Sequence, residues 1–283
     1  MESIDRLSSL LERFRVRAHL FHSGTLCGLT AFDARPGRAF LHVLKRGDMV
    51  VSHDRGSGAR HQIALREPTL LFYPRSLRHT FENPPDNPAD LVCATLDFES
   101  GSAHPLAAAL PPVIVLPLNR VDGLGQTLDL LFAEAERVRC GQRLVADRLF
   151  EVLLLQLMRW MLDHPQEVGL QSGLLSGLSH PRLARVLTAV HEHPENPWSL
   201  KTMAESAGMS RSAFAATFHD VVGSTPAAYL QGWRICIAQS LLRSGLSIKS
   251  AAHQLGFSSA AALSRSFAQV VGASPRAWLR ATD

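Results

Sequence analysis

The sequence predicts an α+β two-domain protein. An N-terminal antiparallel barrel or sandwich, followed by helices, precedes a C-terminal all-α domain with two helix-turn-helix units. Three observations carry this. A motif occurs twice near the C-terminus, as LKTMAESAGMSRSAFAATFHDVVGSTP over 200–226 and IKSAAHQLGFSSAAALSRSFAQVVGASP over 248–275. Short apolar or alternating stretches separated by Gly, Pro and Asp fill residues 15–117, the texture of antiparallel strands. The 283-residue length suits two domains.

Taken in order, residues 1–13 read as a short amphipathic helix with Ile4, Leu7, Leu10 and Leu11 on one side. The stretches VRAHLF, LCGLTAF, AFLHVLK, DMVVS, HQIAL, TLLFYP, LVCATLDF and VIVLPL then read as strands. Residues 120–163 read as two amphipathic helices broken near Gly141, the second apolar around much of its circumference. The Gly/Ser-rich stretch HPQEVGLQSGLLSGLS reads as a linker. The expected boundaries are 1–118 for the strand domain, 119–163 for the helical hairpin, 164–179 for the linker and 180–283 for the all-α domain.

Each copy of the repeat is a helix, a Gly-containing turn, a capping Ser and a second helix. In the first copy Leu200, Met203, Ala204 and Ala207 make the buried face. Gly208 stops the helix in the left-handed conformation, and Ser210 caps the next. Ala213, Phe214, Thr217, Phe218 and Val221 lie near one face, with the two Phe as anchors. In the second copy Ile248, Ala251, Ala252 and Leu255 take the first-helix role and Gly256 stops it. Ser258 or Ser259 caps, and Leu263 and Phe267 match Phe214 and Phe218. The segment TPAAYLQGWRICIAQSLLRSG reads as one helix joining the two units. Tandem units of this kind present two helices to DNA grooves.

Charge is distributed accordingly. Residues 180–283 hold ten Lys and Arg against five Asp and Glu, so the net +4 of the whole chain is concentrated there, as phosphate neutralisation requires. No apolar run reaches the ~18 residues needed to span a bilayer, and the N-terminal MESIDRLSSLLERF lacks a signal-peptide core. A cytoplasmic protein is expected, with no membrane partner. Four scattered cysteines show neither zinc spacing nor a disulfide framework.

The segments HPRLARVLTAVHEHPENPWSL, AESAGMSRSAFAATF, GSTPAAYLQGWRICIAQSLL and AAHQLGFSSAAALSRSFAQVVGASPRAWL resemble the DNA-binding domain of AraC/XylS-type transcription regulators. The resemblance implies seven helices, with recognition helices entering successive major-groove segments on one face of double-stranded promoter DNA. It also implies RNA polymerase as a partner. The segments LFHSGTLCGLTAF, PRSLRHTFENP and LVCATLDF, preceding HPLAAALPPVIVLPL, resemble the cupin-type regulatory domain carried by some of these regulators. That implies a small jelly-roll barrel able to hold a ligand. Helices corresponding to 120–163 make a homodimer contact in many such proteins; intrachain packing against the barrel is the alternative use of the same face.

By position in the motif, the first recognition helix offers Arg211, Ser212, Ala215 and Ala216 to DNA, and the second offers Ala261, Ala262, Ser264 and Arg265, with Ser210 and Ser259 opening the two helices. Arg265 suits bidentate pairing with guanine; a phosphate contact or a surface ion pair is its other use. The alanines depart from the polar residues frequent in the family, which leaves thymine-methyl contacts and DNA shape as sources of specificity. Arg234 is a family-typical basic position with a DNA or a structural role.

For the signal, two inputs remain open. Cys27 and Cys93, both placed in strands, can serve as an oxidant sensor if they meet; a small ligand in the barrel is the other input. An enzyme is not expected, nor a cofactor. Pro74, His79 and Asn83 match part of the second cupin motif, but the paired His and following Glu of the first are missing, and His22, His42, His53 and His61 sit in unrelated spacings. A metal-dependent cupin enzyme with an appended DNA-binding module is the alternative reading. A DNA-repair protein ranks below it, because no alkyltransferase motif is present.

Overall fold

In a computed structural model, residues 4–35, 37–84, 86–98, 104–121, 123–136, 138–170 and 172–282 are described. The chain divides into two compact units. One comprises residues 15–170, the other residues 1–14 together with 171–283.

Short apolar runs and alternating stretches build nine strands among the described residues of the first unit: β1 Val16–Leu26, β2 Gly28–Phe32, β3 Arg38–Arg46, β4 Met49–His53, β5 Gln62–Leu65, β6 Thr69–Tyr73, β7 His79–Asn83, β8 Ala89–Phe98 and β9 Ile114–Pro117. They form two antiparallel sheets, ordered β1-β8-β3-β6-β9 and β2-β7-β4-β5. The expected antiparallel sheet-rich domain is therefore present, as two sheets around one core.

That core follows from strand parity. Phe40, Leu44, Leu71, Tyr73, Leu91 and Cys93 from one sheet meet Met49, Val51, Leu65 and Phe81 from the other. The four-stranded sheet alternates buried and more exposed residues, whereas β3, β6 and β8 are buried almost throughout. A sheet buried on both faces needs cover. Two helices follow the strands: α3 Gly125–Ala135 and α4 Gln142–Asp163. They pack on each other, and α4 runs along β1. Two shorter helices, α1 Ser8–Arg13 and α2 Pro105–Ala109, lie earlier in the chain.

β1 is an edge strand, whose free N–H groups would invite pairing with another chain. Two carboxylates of α4 satisfy two of them. The Leu20 N–H donates to Asp147 at 2.7 Å and the Ala18 N–H to Glu151 at 3.3 Å. These two carboxylates thus fix how the helix lies on the sheet.

The second unit is helical: α5 Leu174–Ser179, α6 Leu183–Glu192, α7 Leu200–Ser206, α8 Arg211–Val222, α9 Pro226–Arg243, α10 Ile248–Gln254, α11 Ala260–Val271 and α12 Pro275–Thr282. Two expectations need correction. The stretch expected as linker contains α5, because Leu174, Leu175 and Leu178 bury against α6 and α8 rather than facing solvent. The N-terminal helix belongs to this unit and not to the strands that follow it in sequence. Leu10 and Phe14 are fully buried, α1 packs on α6, the Phe14 ring meets Trp233 edge-on at 5.2 Å, and Arg6 donates to the Leu178 carbonyl at 3.2 Å.

Candidate nucleic-acid interface and sensory cavity

The duplicated residues do the same jobs in both copies. Gly208 and Gly256 take left-handed φ values of 62° and 71° and end α7 and α10. Ser210 caps α8 by accepting from the Ala213 N–H, and Ser259 caps α11 by accepting from the Ala262 N–H. Phe214, Phe218, Leu263 and Phe267 are buried. Gly223 and Gly272 stop α8 and α11, and Pro226 and Pro275 open the next helices. Three residues after each Pro an aromatic ring receives the recognition-helix Phe: Phe218 on Tyr229 at 5.6 Å, Phe267 on Trp278 at 5.5 Å. Three expected core positions differ: Ala213, Leu200 and Val221, the first of which is exposed in the opening turn of α8. Leu200 is exposed because the capping box of Ser199 and Thr202 turns it outward, and Val222 rather than Val221 is the buried valine of α8.

With one face of each recognition helix buried, the opposite face is defined. Arg211, Ser212 and Ala216 on α8, and Ala261 and Arg265 on α11, are exposed, as are the caps Ser210 and Ser259; Ala215, Ala262 and Ser264 are half-buried. Ser264 donates its hydroxyl to the Ala260 carbonyl at 2.8 Å, leaving only its lone pairs for an incoming group. Arg234 has a structural task. Its guanidinium donates to the Pro194 and Asn196 carbonyls at 2.7 and 2.9 Å and lies over the Phe257 ring at 5.7 Å, tying the loop before the first unit to the turn of the second.

In the strand domain the structure joins side chains that sequence spacing leaves apart. His42 and His79 face the same interior from opposite sheets, with their Nε2 atoms 3.0 Å apart. A carbonyl only accepts, so His79 Nδ1 carries the proton given to Leu77 O at 2.8 Å. His79 Nε2 is then an acceptor, His42 donates to it, and His42 Nδ1 is left buried without a hydrogen-bond partner. By the same logic His53 donates from Nδ1 to Arg60 O at 2.6 Å and accepts from the Tyr73 hydroxyl at 2.9 Å. Strand parity was the signal available for this cluster. Among the described residues no group of three or more His, Cys, Asp or Glu is placed to hold a metal ion, and catalytic zinc sites use three protein ligands.

Burial holds His42, His79 and His191 neutral. His42 is pushed well below its ordinary range, His79 down to about 4, and in the helical unit His191, which meets the Tyr229 hydroxyl at 2.6 Å, down to about 3. Below about pH 6.5 the unfolded chain takes up protons that the folded chain refuses, so stability is intact above that pH and falls as pH drops toward 4. Between pH 7 and 5 each of His79 and His191 is expected to remove on the order of 2 kcal/mol. Urea midpoints at the two pH values check this; an unchanged midpoint would refute it.

The two cysteines are not brought together. Cys27 is exposed after β1, whose last residue Leu26 pairs with Ala89, while Cys93 lies four residues further along β8. That is about 13 Å of strand, against the ~7 Å between alpha carbons that a disulfide tolerates. Cys93 is fully buried, and burial pushes its thiol far up, away from the reactive thiolate. A cavity of about 600 Å³ opens instead between β1, β2, the start of β3, β8 and α4, with the Phe21, Phe32 and Phe40 rings in its wall. Phe32 stacks on His79 and Phe40 on His42, so the aromatic wall backs onto the histidine cluster.

Two helix-turn-helix units joined by one helix define a DNA-binding protein, and the two-sheet unit is its second domain. Residues 5–163 match the family model described as Cupin, and residues 203–281 the one described as Helix-turn-helix domain. The chain belongs to the AraC-type transcription regulators that carry a cupin domain. It is similar to the HTH-type transcriptional regulator AlkR of Acinetobacter baylyi, 34% identical over 190 residues, which are 65% of this chain and 60% of the relative. A putative AraC-like transcription regulator of Streptomyces lividans is 29% identical over 96% of this chain and 97% of its own. The DNA-binding domain of AdpA, solved in complex with a target DNA, is 34% identical over 36% of this chain and 93% of its own, with a TM-score of 0.35. No described helix is long and apolar enough to cross a membrane.

Proposed function

We propose that the chain binds double-stranded promoter DNA sequence-specifically through α8 and α11 and changes recruitment of RNA polymerase, acting in the cytoplasm and carrying out no reaction of its own. The observation that carries this is the matched pair of recognition helices, each capped by Ser, anchored by buried apolar residues and exposing one Arg. The same reading assigns base or phosphate contacts to Ser210, Arg211, Ser212, Ala215, Ala216, Ser259, Ala261, Ala262, Ser264 and Arg265.

The full-length protein is expected to shift DNA from its own upstream region in preference to scrambled DNA of equal length. Affinity should fall with salt, with a slope near 0.9 per neutralised phosphate. Equal affinity for both DNAs at moderate salt would sink the assignment. Arg265→Ala should cost roughly 1–3 kcal/mol at one base pair if the guanidinium reads guanine. If it touches phosphate, the loss is uniform across sequences and the salt slope drops by about one. Selection from randomised operators separates the two, and no change in either quantity removes Arg265 from the interface.

The input is read as a small ligand in the cavity of the strand domain. Of the two strand-domain cysteines first considered, an oxidant would reach Cys27, which is exposed, and not the buried Cys93; the response would then begin as a sulfenic acid rather than as a bond between them. The helical hairpin supports a homodimer. Leu144, Val145, Val152 and Leu155 of α4 fall within about 100° of one helical face, and all four are exposed.

A further inference from the structure

Resting on the reading of α8 and α11 as the DNA-reading helices, we propose that Arg234 is a positioning residue for operator spacing. It clasps the loop 193–198 between the two helix-turn-helix units and so fixes how many base pairs the protein accepts between the two DNA segments it reads.

The two units need such a clasp. Among the described residues neither α7 nor α8 packs broadly on α10 or α11; each unit packs on α9 instead. A cleft of about 500 Å³ lies between them, walled by Leu200, Met203 and Ala215 of the first unit, Leu230 of α9, and Phe257 and Ser266 of the second. Units separated by such a gap can hinge about the helix they share. α9 has 18 residues, a length of about 27 Å. A hinge of roughly 7° across it displaces the far unit by about 3.4 Å, one base-pair step.

Arg234 closes this hinge from the middle of α9. Its Nε donates to the Pro194 carbonyl at 2.7 Å, its Nη2 donates to the Asn196 carbonyl at 2.9 Å, and the guanidinium lies over the Phe257 ring at 5.7 Å. The gripped loop is part of the first unit. It runs into Ser199, which caps α7, and Trp198 donates back to the His193 carbonyl at 2.8 Å. Phe257 is part of the second unit. It follows α10, and its N–H donates to the Ala252 carbonyl at 2.9 Å. Gly256 of the same turn lies so close to the Glu195 backbone that a Cβ would have to displace it. One side chain therefore joins the first-unit loop, the linking helix and the second-unit turn. A lysine ammonium has no planar fork to bridge two carbonyls and no flat face for the ring. A further link, from Gln231 Nε2 to Gln269 Oε1 at 3.2 Å, joins α9 to α11 but is exposed to competing water.

Spacing is where this rigidity becomes sequence selection. Segments read by linked helices lie about one helical turn apart, and each added base pair turns one segment by about 35°. A clasped protein then loses contacts on one side, whereas a hinged one follows the DNA.

Mobility shifts with the full-length protein test this. The probes are the duplex that the wild type selects from a randomised library, and the same duplex with one base pair inserted or removed between its two contacted segments. The wild type is expected to bind both altered duplexes about tenfold or more weakly, since a displaced segment forfeits a base contact. Arg234→Gln and Arg234→Lys should narrow that gap to about threefold or less, because the unclasped units follow the DNA. Base preference within each segment should stay unchanged. Phe257→Leu, which keeps the cleft apolar but removes the ring, should narrow the gap part-way. Thermal unfolding shows which variants are folded, and should no Arg234 variant fold, Phe257→Leu decides. A wild type indifferent to spacing, or folded variants as steep as the wild type, overturns the proposal. So does an Arg234→Lys that matches the wild type while Arg234→Gln loses affinity uniformly, the pattern of a phosphate contact. A wild type with no preference for its own upstream DNA refutes the regulator reading, whereas specific binding with a flat spacing profile refutes the clasp alone.

Discussion

Phe14→Ala is expected to destabilise the helical DNA-binding unit by about 3–5 kcal/mol, the range for emptying a buried phenylalanine site. The residue stands more than 150 positions before most of that unit in sequence, yet its ring is fully buried against Trp233. The loss is a large fraction of the ~5–15 kcal/mol that keeps a domain folded. Helix α1 has only six residues, far too few to hold itself together in water. Removing its anchor should therefore release the whole segment, including the Arg6 bond to Leu178. Hydrogen exchange read by peptide gives the test. Protection should fall in α6 and α9 while β3 and β8 keep theirs. Loss confined to the strands, or no loss anywhere, would show that α1 contributes nothing to the DNA-binding unit.

The second large effect separates two glycines that look equivalent in the repeat. Gly208 has open space around the position a Cβ would occupy, so Gly208→Ala carries only the left-handed strain, about 1 kcal/mol. At Gly256 the Cβ would run into the Glu195 carbonyl oxygen, with the Glu195 carbonyl carbon at 2.9 Å. That loop has no room to retreat. Arg234 holds the carbonyls of Pro194 and Asn196 on either side, and Trp198 donates to the His193 carbonyl at 2.8 Å. Gly256→Ala should therefore cost about 3 kcal/mol or more, strain and overpacking together, and should weaken DNA binding by displacing α11. Urea midpoints of the two variants check this. Equal shifts would mean that Gly256 is needed only for its backbone angle.

The two glycines also mark where sequence reading stops. Both read as helix-ending turns from the residues around them, because a left-handed turn, a Ser cap and an amphipathic helix are local events that leave local signs. Which one lies against a second backbone is not local. The same boundary runs through the strand domain. Short apolar and alternating stretches indicated the strands, but not that His42 and His79 come from facing sheets and meet. They placed both Cys27 and Cys93 in strands, whereas Cys27 falls between β1 and β2 and the register sets it more than about 13 Å from Cys93. That Asp147 and Glu151 accept from the open edge of β1 is likewise a tertiary matter, set by how α4 lies on the sheet.

Sequence periodicity and local turn chemistry determined the duplicated helix-turn-helix, its caps, stops and buried anchors, and the antiparallel class of the first domain. Each rests on interactions within a few residues or on the period of one element. Tertiary structure alone decided that the first helix joins the last domain, that the Gly/Ser-rich stretch contains a buried helix, and that three phenylalanines share one cavity. These depend on which surfaces meet across more than a hundred residues of chain, and an apolar face records only that it must be covered, not by what.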